Sequence, residues 1–452
     1  MAGGNFSKLS GKTRPGTYIN FEGTTQDGVR INARGTVVIP LINHDYGPQG
    51  EFIAITCASP DAMRHKLGYS VYDSNADMLL VREALKNAST VKVYIPKQGA
   101  AATGVAGTLT GMAQYGGARG NSLKFAVVAN PDGGFDVTKY IGSEALETVT
   151  GVTTVAALVA ADSGKWITFS GTGNLTASAG VALTGGVTGV TSTADITTFL
   201  DKSESEPWNT MAFPVAPTGD SGDTTPALLE ALKSKIKYLR DGAGKYRNAV
   251  VANFRADYEG VINVTNGIML TDGTELTAAQ AVAWVAGATA AASNTTSLTY
   301  KKYDGAASVS GAKDNAAAVA AINAGEFFFS ISEAGEVVVE YDINSLTTFT
   351  TKKTKDYRKN RVMRVYDTFG EWCVLNFPPN KFDNDPDGWG SMEGIGRAGL
   401  TQFGEAHAIH NINLETDFTV DRQTSHGDET YFNVALQATD GSEKAYFTIR
   451  TK

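Results

Sequence analysis

Several spacings in this sequence carry residue types that do chemistry elsewhere. Gly11-Lys12-Thr13 matches the end of a phosphate-cradling loop, in which backbone N–H groups and a lysine hold a nucleotide's phosphates. The upstream glycine of that pattern is replaced by Phe6, and Pro15 follows where a helix should open, so nucleotide binding is not expected. Gly394-Ile-Gly396-Arg-Ala-Gly399 fits the dinucleotide pattern, which works only where a strand aims the helix N-terminus at pyrophosphate. Upstream stands the loop Asn384-Asp-Pro-Asp-Gly-Trp-Gly390, so these glycines are read as close helix packing or a flexible helix. His407 and His410, with Glu405 nearby, have helical spacing for a metal but no third ligand, and are read as solvated or packed. Asp383, Asp385 and Asp387 begin like a calcium loop, yet Gly394 occupies the position of its bidentate glutamate, so a polar turn is expected. No Gly-x-Ser-x-Gly elbow occurs. Cys57 and Cys373 have no zinc spacing and are read as thiols in a reducing compartment. No catalytic, cofactor or metal residue is therefore expected.

The strongest charge feature is the run Lys352, Lys353, Lys355, Arg358, Lys359, Arg361, Arg364. Two readings stay open: the solvated face of a connecting helix, or a patch that docks on an acidic partner. Nucleic acid is disfavoured, because aromatic interleaving is thin and the net charge is −8.

The elements that must position these residues follow from periodicity. Over 452 residues, 42% are hydrophobic, ample for two or three packed domains, and only 19% are charged, so much of the surface is Thr, Ser, Gly and Asn. No apolar run approaches the ~20 residues of a membrane span, and the N-terminus lacks a signal-peptide core, so assembly in a bacterial-type cytoplasm is expected. Thr36–Pro40, Phe52–Thr56 and Val91–Pro96 read as strands around a helix Asp77–Ala88, the start of an α/β core. From Gly99 to Asp195 only ten residues are charged, and β-rich pieces (Leu123–Ala129, Phe135–Tyr140, Trp166–Phe169) alternate with Gly turns, which predicts an inserted antiparallel β domain. The core resumes with helices at Ile196–Leu200, Leu228–Arg240 and Thr277 to about Ala292, the last with Val282 and Val285 on its apolar side, and strands at Trp208–Val215 and Tyr246–Asn253. Phe327–Ile331 and Val337–Tyr341 are expected to pair as a hairpin. A third unit opens with a helix-like Lys352–Tyr366, a Gly-punctuated helix near Ser391–Ala406, and strands Thr416–Asp421, Tyr431–Ala438 and Ala445–Thr451. The fold class is α+β and α/β, multidomain: an N-terminal arm at 1–22, an α/β core at 23–98 plus 196–350, the insert at 99–195, a C-terminal α+β unit at 351–444, and an arm strand at 445–452.

The two ends look alike. The polar, Gly-rich leader closes in a short strand, Pro15, Thr17, Tyr18, Ile19, Phe21, which cannot bury a core of its own and reads as a strand to be added to another sheet. Tyr446, Phe447 and Ile449 form a matching orphan at the other end. A secreted, adhesin-like β protein would explain the Thr/Gly-rich middle but requires an export signal. An α/β enzyme requires a compact titratable cluster.

The ordered motifs resemble a known family. Gly3-Gly4 before Arg14-Pro15-Gly16-Thr-Tyr18-Ile19, the turn Tyr115-Gly-Gly-Ala-Arg119-Gly120-Asn121, Phe135-Asp-Val, Leu183-Thr-Gly-Gly186, Asn360-Arg-Val-Met-Arg-Val-Tyr-Asp367, Ala408-Ile, Asp417 and Glu443-Lys444-Ala-Tyr446 are similar to landmarks of contractile tail sheath proteins. The likeness is to those of Gram-positive-host phages and phage-tail-like bacteriocins, and it spans nearly the whole chain. The Pro378–Gly390 loop, rich in Asp and Pro, departs from the pattern. The resemblance implies a subunit that polymerises as stacked rings around a tail tube and contracts by rigid-body rearrangement, without nucleotide. Its implied partners are copies of itself, the tube protein, and baseplate and terminator proteins, within a virion or tail-like particle, with no nucleic acid and no membrane insertion. It implies strand exchange through the two terminal segments, and tube or neighbour contact through Lys352, Lys353, Arg358, Arg361, Glu393, Arg397 and Gln402.

Overall fold

A computed structural model describes residues 34–451. The expected arm strand Pro15–Phe21 lies outside the described residues. Along the chain come β1 (Thr36–Pro40), β2 (Phe52–Thr56), α1 (Arg64–Leu67), α2 (Ala76–Leu85) and β3 (Thr90–Tyr94). Asn75 opens α2 by accepting from the N–H groups of Asp77 and Met78. The inserted segment follows as β4 (Thr103–Ala106), β5 (Leu109–Ala113), β6 (Leu123–Ala129), β7 (Phe135–Ile141), β8 (Glu144–Val152), α3 (Val155–Ala161), β9 (Ile167–Gly171) and β10 (Ser178–Ala182). The core resumes with α4 (Thr193–Ser203), β11 (Thr210–Ala212), α5 (Thr225–Lys237), β12 (Asn248–Ala252), β13 (Val261–Val264), β14 (Gly267–Leu270), β15 (Glu275–Leu276), α6 (Ala278–Ala291), β16 (Ala306–Ser310), α7 (Asn315–Asn323), β17 (Glu326–Phe327), β18 (Phe329–Ile331) and β19 (Val337–Val339). Finally come α8 (Asn360–Asn376), α9 (Pro386–Glu405), β20 (Phe418–Val420) and β21 (Phe432–Val434).

A seven-stranded sheet in the order β17-β13-β12-β11-β1-β3-β2 organises the core. Its strands are parallel except the edge strand β2. Side chains alternate between its two faces. Val37, Ile39, Val250 and Ala252 pack with α2 and α6, whereas Val38, Ala249 and Val251 pack with α4 and α5. Thr277 and Gln280 close a capping box at the start of α6. The sequence predicts one apolar side for this helix, but Ala281–Ala290 are buried all round, because α2 covers the face that the sheet leaves open. Small residues permit that crossing: a Cβ at Gly287 would collide with the Ala84 carbonyl oxygen.

The insert is a sandwich of two antiparallel sheets, β10-β6-β7-β8 and β4-β5-β9, around Phe125, Val127, Leu158, Ile167 and Phe169. The Tyr115–Asn121 turn fastens it to the core. Arg119 donates from its N–H to Asp45 O at 3.1 Å and from Nε to Gly68 O at 3.1 Å, and its guanidinium lies over the Tyr69 ring. Gly117 holds a φ of 140° against the Asp45 backbone, where no side chain fits. Arg64 adds a fork to Glu144, with both contacts at 2.7 Å. Asn121 and Gly186 exchange two 2.8 Å bonds and tie the exit of the insert to its entry.

Several element boundaries differ from the periodic reading. The expected strand Phe327–Ile331 is split: β17 joins the large sheet beside β13, and only β18 pairs with β19. Asp385 caps α9 and Pro386 takes its first turn, so the helix starts inside the expected Pro378–Gly390 loop. The basic stretch expected as one helix is a 3₁₀ turn, Lys355–Arg358, followed by α8, which runs on to Asn376.

Between β1 and α2 sits a charged histidine. His44 donates from Nδ1 to Asp77 Oδ2 at 2.6 Å and from Nε2 to Leu67 O at 3.0 Å. A carbonyl and a carboxylate both accept, so this pair of contacts favours the doubly protonated ring. Burial opposes that charge, but the Asp77 carboxylate and the Leu67 carbonyl outweigh it and raise the His44 pKa. The linked stability is fully present below about pH 6.5, the ordinary histidine value, and is lost as pH rises through the higher folded value. Urea unfolding of the full chain at a series of pH values should show this loss, and His44→Asn should flatten it.

Candidate assembly surface

The C-terminal unit joins the core through a buried polar stripe on α8. Asn360, Arg364, Asp367 and Glu371 recur at helical spacing on one face, and all four are buried. Asp367 receives a forked contact from Arg240, at 2.6 and 3.0 Å, with both side chains buried. Burial works against the Arg240 charge, and Asp367 more than restores it. Arg364 donates to Asp342 Oδ2 at 2.6 Å and to Thr296 O at 2.7 Å, while Asn360 donates to Asp342 Oδ1 at 2.8 Å. Arg247 approaches Glu371 at 3.8 Å. The opposite face of α8 is apolar: Val365, Phe369 and Trp372 enter a separate core with Leu400, Phe403, Ile409 and Phe418.

Helix α9 lies over that core through glycine. A Cβ at Gly399 would strike the Trp372 indole, and one at Gly396 would strike the Phe418 ring. Gly396 and Gly399 of the dinucleotide-like pattern thus serve close packing, whereas a Cβ at Gly394 would meet open space. His407, at φ 57°, ends α9 in the left-handed region, and His410 faces Thr439 at 3.3 Å. Among the described residues no cluster of His, Cys, Asp or Glu could hold a metal.

β20 and β21 form a two-stranded antiparallel sheet with open and closed edges. Asp421 N–H donates to Tyr431 O and Ala435 N–H to Asp417 O, so Thr419 and Asn433 face each other across the pair. The backbone groups of Phe418 and Val420 therefore point away from β21, and those of Phe432 and Val434 point away from β20. Val420 N–H donates to Glu393 Oε1 at 3.0 Å, which closes the β20 edge. The β21 edge has no partner strand among the described residues.

Beyond β21 the chain passes the core at Glu443. Its carboxylate accepts from Ser297 Oγ at 2.9 Å and Thr299 Oγ1 at 2.7 Å, and pairs with Lys359. Past this clamp, the expected strand Ala445–Thr451 forms no strand, and no sheet edge among the described residues receives it. Tyr446, Phe447 and Ile449 are 89, 85 and 86% exposed.

The other sequence-derived residues are dispersed. Lys352 is exposed, and Lys353 is engaged with Glu259. Arg358 is buried and Arg361 half-buried, so the basic run is not one solvated face. Glu393 is also committed internally, to Val420, Arg422 at 3.3 Å and Arg397 at 3.8 Å. Arg397 stands on the exposed face of α9, and Gln402 is half-buried. Sequence reasoning missed the α8 stripe and the Glu443 clamp. The signal for the stripe was present in the recurrence of Asn360, Arg364, Asp367 and Glu371.

Three consecutive parts of the chain match one family: residues 97–188 the phage tail sheath protein beta-sandwich domain, 189–345 the phage tail sheath protein central domain, and 352–452 the phage tail sheath C-terminal domain. The sheath tail protein of Desulfitobacterium hafniense is similar at 38% identity and a TM-score of 0.83, over 97% of this chain and 100% of that one. The phage-like element PBSX protein XkdK of Bacillus subtilis is 34% identical over 99% of both chains. The anti-feeding prophage helical sheath in its contracted state shares the fold at a TM-score of 0.54 and 12% identity, over 98% of this chain and 100% of that one. The chain belongs to the phage tail sheath protein family, a family of structural subunits.

The α8 stripe makes a sharp prediction. Asp367→Asn leaves the Arg240 guanidinium buried without its counter-charge and should destabilise the subunit by about 3–5 kcal/mol in urea unfolding. The double variant Arg240→Met/Asp367→Leu, which removes both charges, should recover most of that loss.

Proposed function

We propose that this chain is the sheath subunit of a contractile tail, polymerising around a tail tube and driving it through a bacterial envelope. The observation that carries this reading is an orphan strand opposite an open edge. Tyr446, Phe447 and Ile449 stand in solvent beyond a clamped root, and β21 offers unpaired backbone on one side. Strand addition satisfies both, since main-chain bonds supply affinity and alternate side chains find their faces. A donor segment on one copy and an acceptor edge on the next give a head-to-tail, non-closing contact, the kind that builds a filament of many copies. Pro15–Phe21 is the second proposed donor.

Contraction then proceeds by rotation of whole subunits, with the exchanged strands as tethers that stay paired. The extended arrangement is metastable, and the gain in intersubunit contact supplies the work without nucleotide. The domain organisation expected from the sequence fits this division of labour: the sandwich projects outward, and the C-terminal unit faces the tube. Tube contact is assigned to α9, through Arg397 on its exposed face and the half-buried Gln402, and to Lys352, Lys353 and Arg361. Baseplate and terminator proteins bound the polymer at its ends, and assembly takes place in the host cytoplasm.

Deletion of residues 445–452 tests the reading. The truncated subunit should keep its circular dichroism and melting temperature, yet form no tubes in negative-stain electron microscopy. Val434→Pro, which removes an outward N–H from the β21 edge, should do the same. Normal tubes from both variants would refute strand exchange.

A further inference from the structure

Where the 3₁₀ turn Lys355–Arg358 meets the end of α7 and the root of the C-terminal segment, a cavity of about 180 Å³ is lined by Ile322, Tyr341, Lys355, Arg358, Lys359 and Lys444, with Asp356 on the wall. Arg358 is only 6% exposed, and its Nε and Nη2 find no hydrogen-bond acceptor among the described residues. Buried guanidinium donors are almost always paired, because an unpaired buried charge is costly. Burial accordingly pulls the Arg358 pKa down. Lys359 is neutralised by Glu443 and by Asp440 at 3.2 Å. Lys355 and Lys444 are exposed and make no ion pair among the described residues, and the Lys444 ammonium lies 5.8 Å from the centre of the Tyr341 ring. The cavity thus presents three uncommitted cations against one acid, Asp356.

We propose that this cavity receives a carboxylate side chain from a second copy of the chain, held by the Arg358 guanidinium with Lys355 and Lys444 at the rim. Arginine's planar fork matches a carboxylate. The volume suits one acidic side chain and is below the roughly 300–1,000 Å³ of a small-molecule site. Charge selects the partner: 47 acidic against 39 basic residues give every copy a surplus of carboxylates to offer a basic pocket. The proposal rests on the polymer-forming reading above, and adds a side-chain lock to the main-chain linkage.

The test is the critical concentration for tube formation by the full chain, measured by sedimentation at fixed ionic strength and checked by electron microscopy. Arg358→Met should raise it about tenfold, as expected for loss of a charge-assisted pair. The melting temperature of the unassembled subunit should stay unchanged or rise, since the variant removes an unpaired buried cation. Glutarate, a free dicarboxylate, should raise the wild-type value at constant ionic strength and leave that of Arg358→Met unmoved. Assembly of the variant at the wild-type concentration would overturn the proposal, and so would a melting temperature that falls in step with assembly, which would make Arg358 purely internal. Should Arg358→Met fail to fold, Lys355→Ser/Lys444→Ser, at exposed positions, carries the same expectation at roughly threefold, with wild-type assembly again overturning the proposal. A wild type that never polymerises removes the sheath reading and this proposal together; a polymerising wild type with indifferent variants removes this proposal alone.

Discussion

The buried fork between Arg240 and Asp367 constrains the rest of the C-terminal unit. It joins the helical turn that follows α5 to the middle of α8, and Arg364–Asp342 repeats the device one turn earlier along α8. Ion pairs of this kind add modest net stability, yet removing one partner is very unfavourable, so the orientation they define is discrete. An apolar joint would tolerate small slides. This one does not, and α9, the β20–β21 sheet and the Glu443 clamp all inherit its orientation. The α2–α6 crossing at Gly287 and the Arg119 fastening give the other two units equally definite positions.

Such definite joints suit a subunit that moves as a whole. Force applied to the sandwich passes through Arg64–Glu144 and the Tyr115–Asn121 turn into the central sheet, and from there through α8 to the C-terminal unit. Each joint is charge-assisted and geometrically specific, so work is transmitted rather than absorbed by internal flexing. The pliant elements are then those outside the packed cores, above all the segment past Glu443.

Much of this was legible in the sequence, for physical reasons. β1, β2 and β6 fall where short apolar runs are bounded by turns, and Asn75 and Thr277 announce their helices as caps. Gly394, Gly396 and Gly399 read as close packing or a flexible helix because the strand a nucleotide site needs is missing; Phe418 and Trp372 occupy the space at Gly396 and Gly399, and Gly394 is open. What escaped was whatever depends on tertiary partners. The basic run reads as a solvated face or a docking patch, and neither reading anticipates that Arg364 is buried against Asp342. The all-round burial of α6 depends on α2, a hundred residues and more away in sequence. Alternation at Ala445–Thr451 signals a strand, but a strand exists only where a second backbone receives it. Tyr446, Phe447 and Ile449 stand out in the sequence because they are apolar where no local core takes them, and they are exposed in the fold; the Glu443 clamp behind them is a lone acid whose partners are scattered along the chain.

The closed edge of β20 has a consequence for the polarity of any polymer. With Glu393 seated on Val420 N–H, a sheet begun in one subunit can lengthen only past β21. Every strand added there shifts the open edge outward by about 4.8 Å and always in the same direction. A sheet that grows this way takes every donor on the same side and cannot branch at β20. A lattice linked through such sites has a built-in arrow, and its two ends are chemically different surfaces.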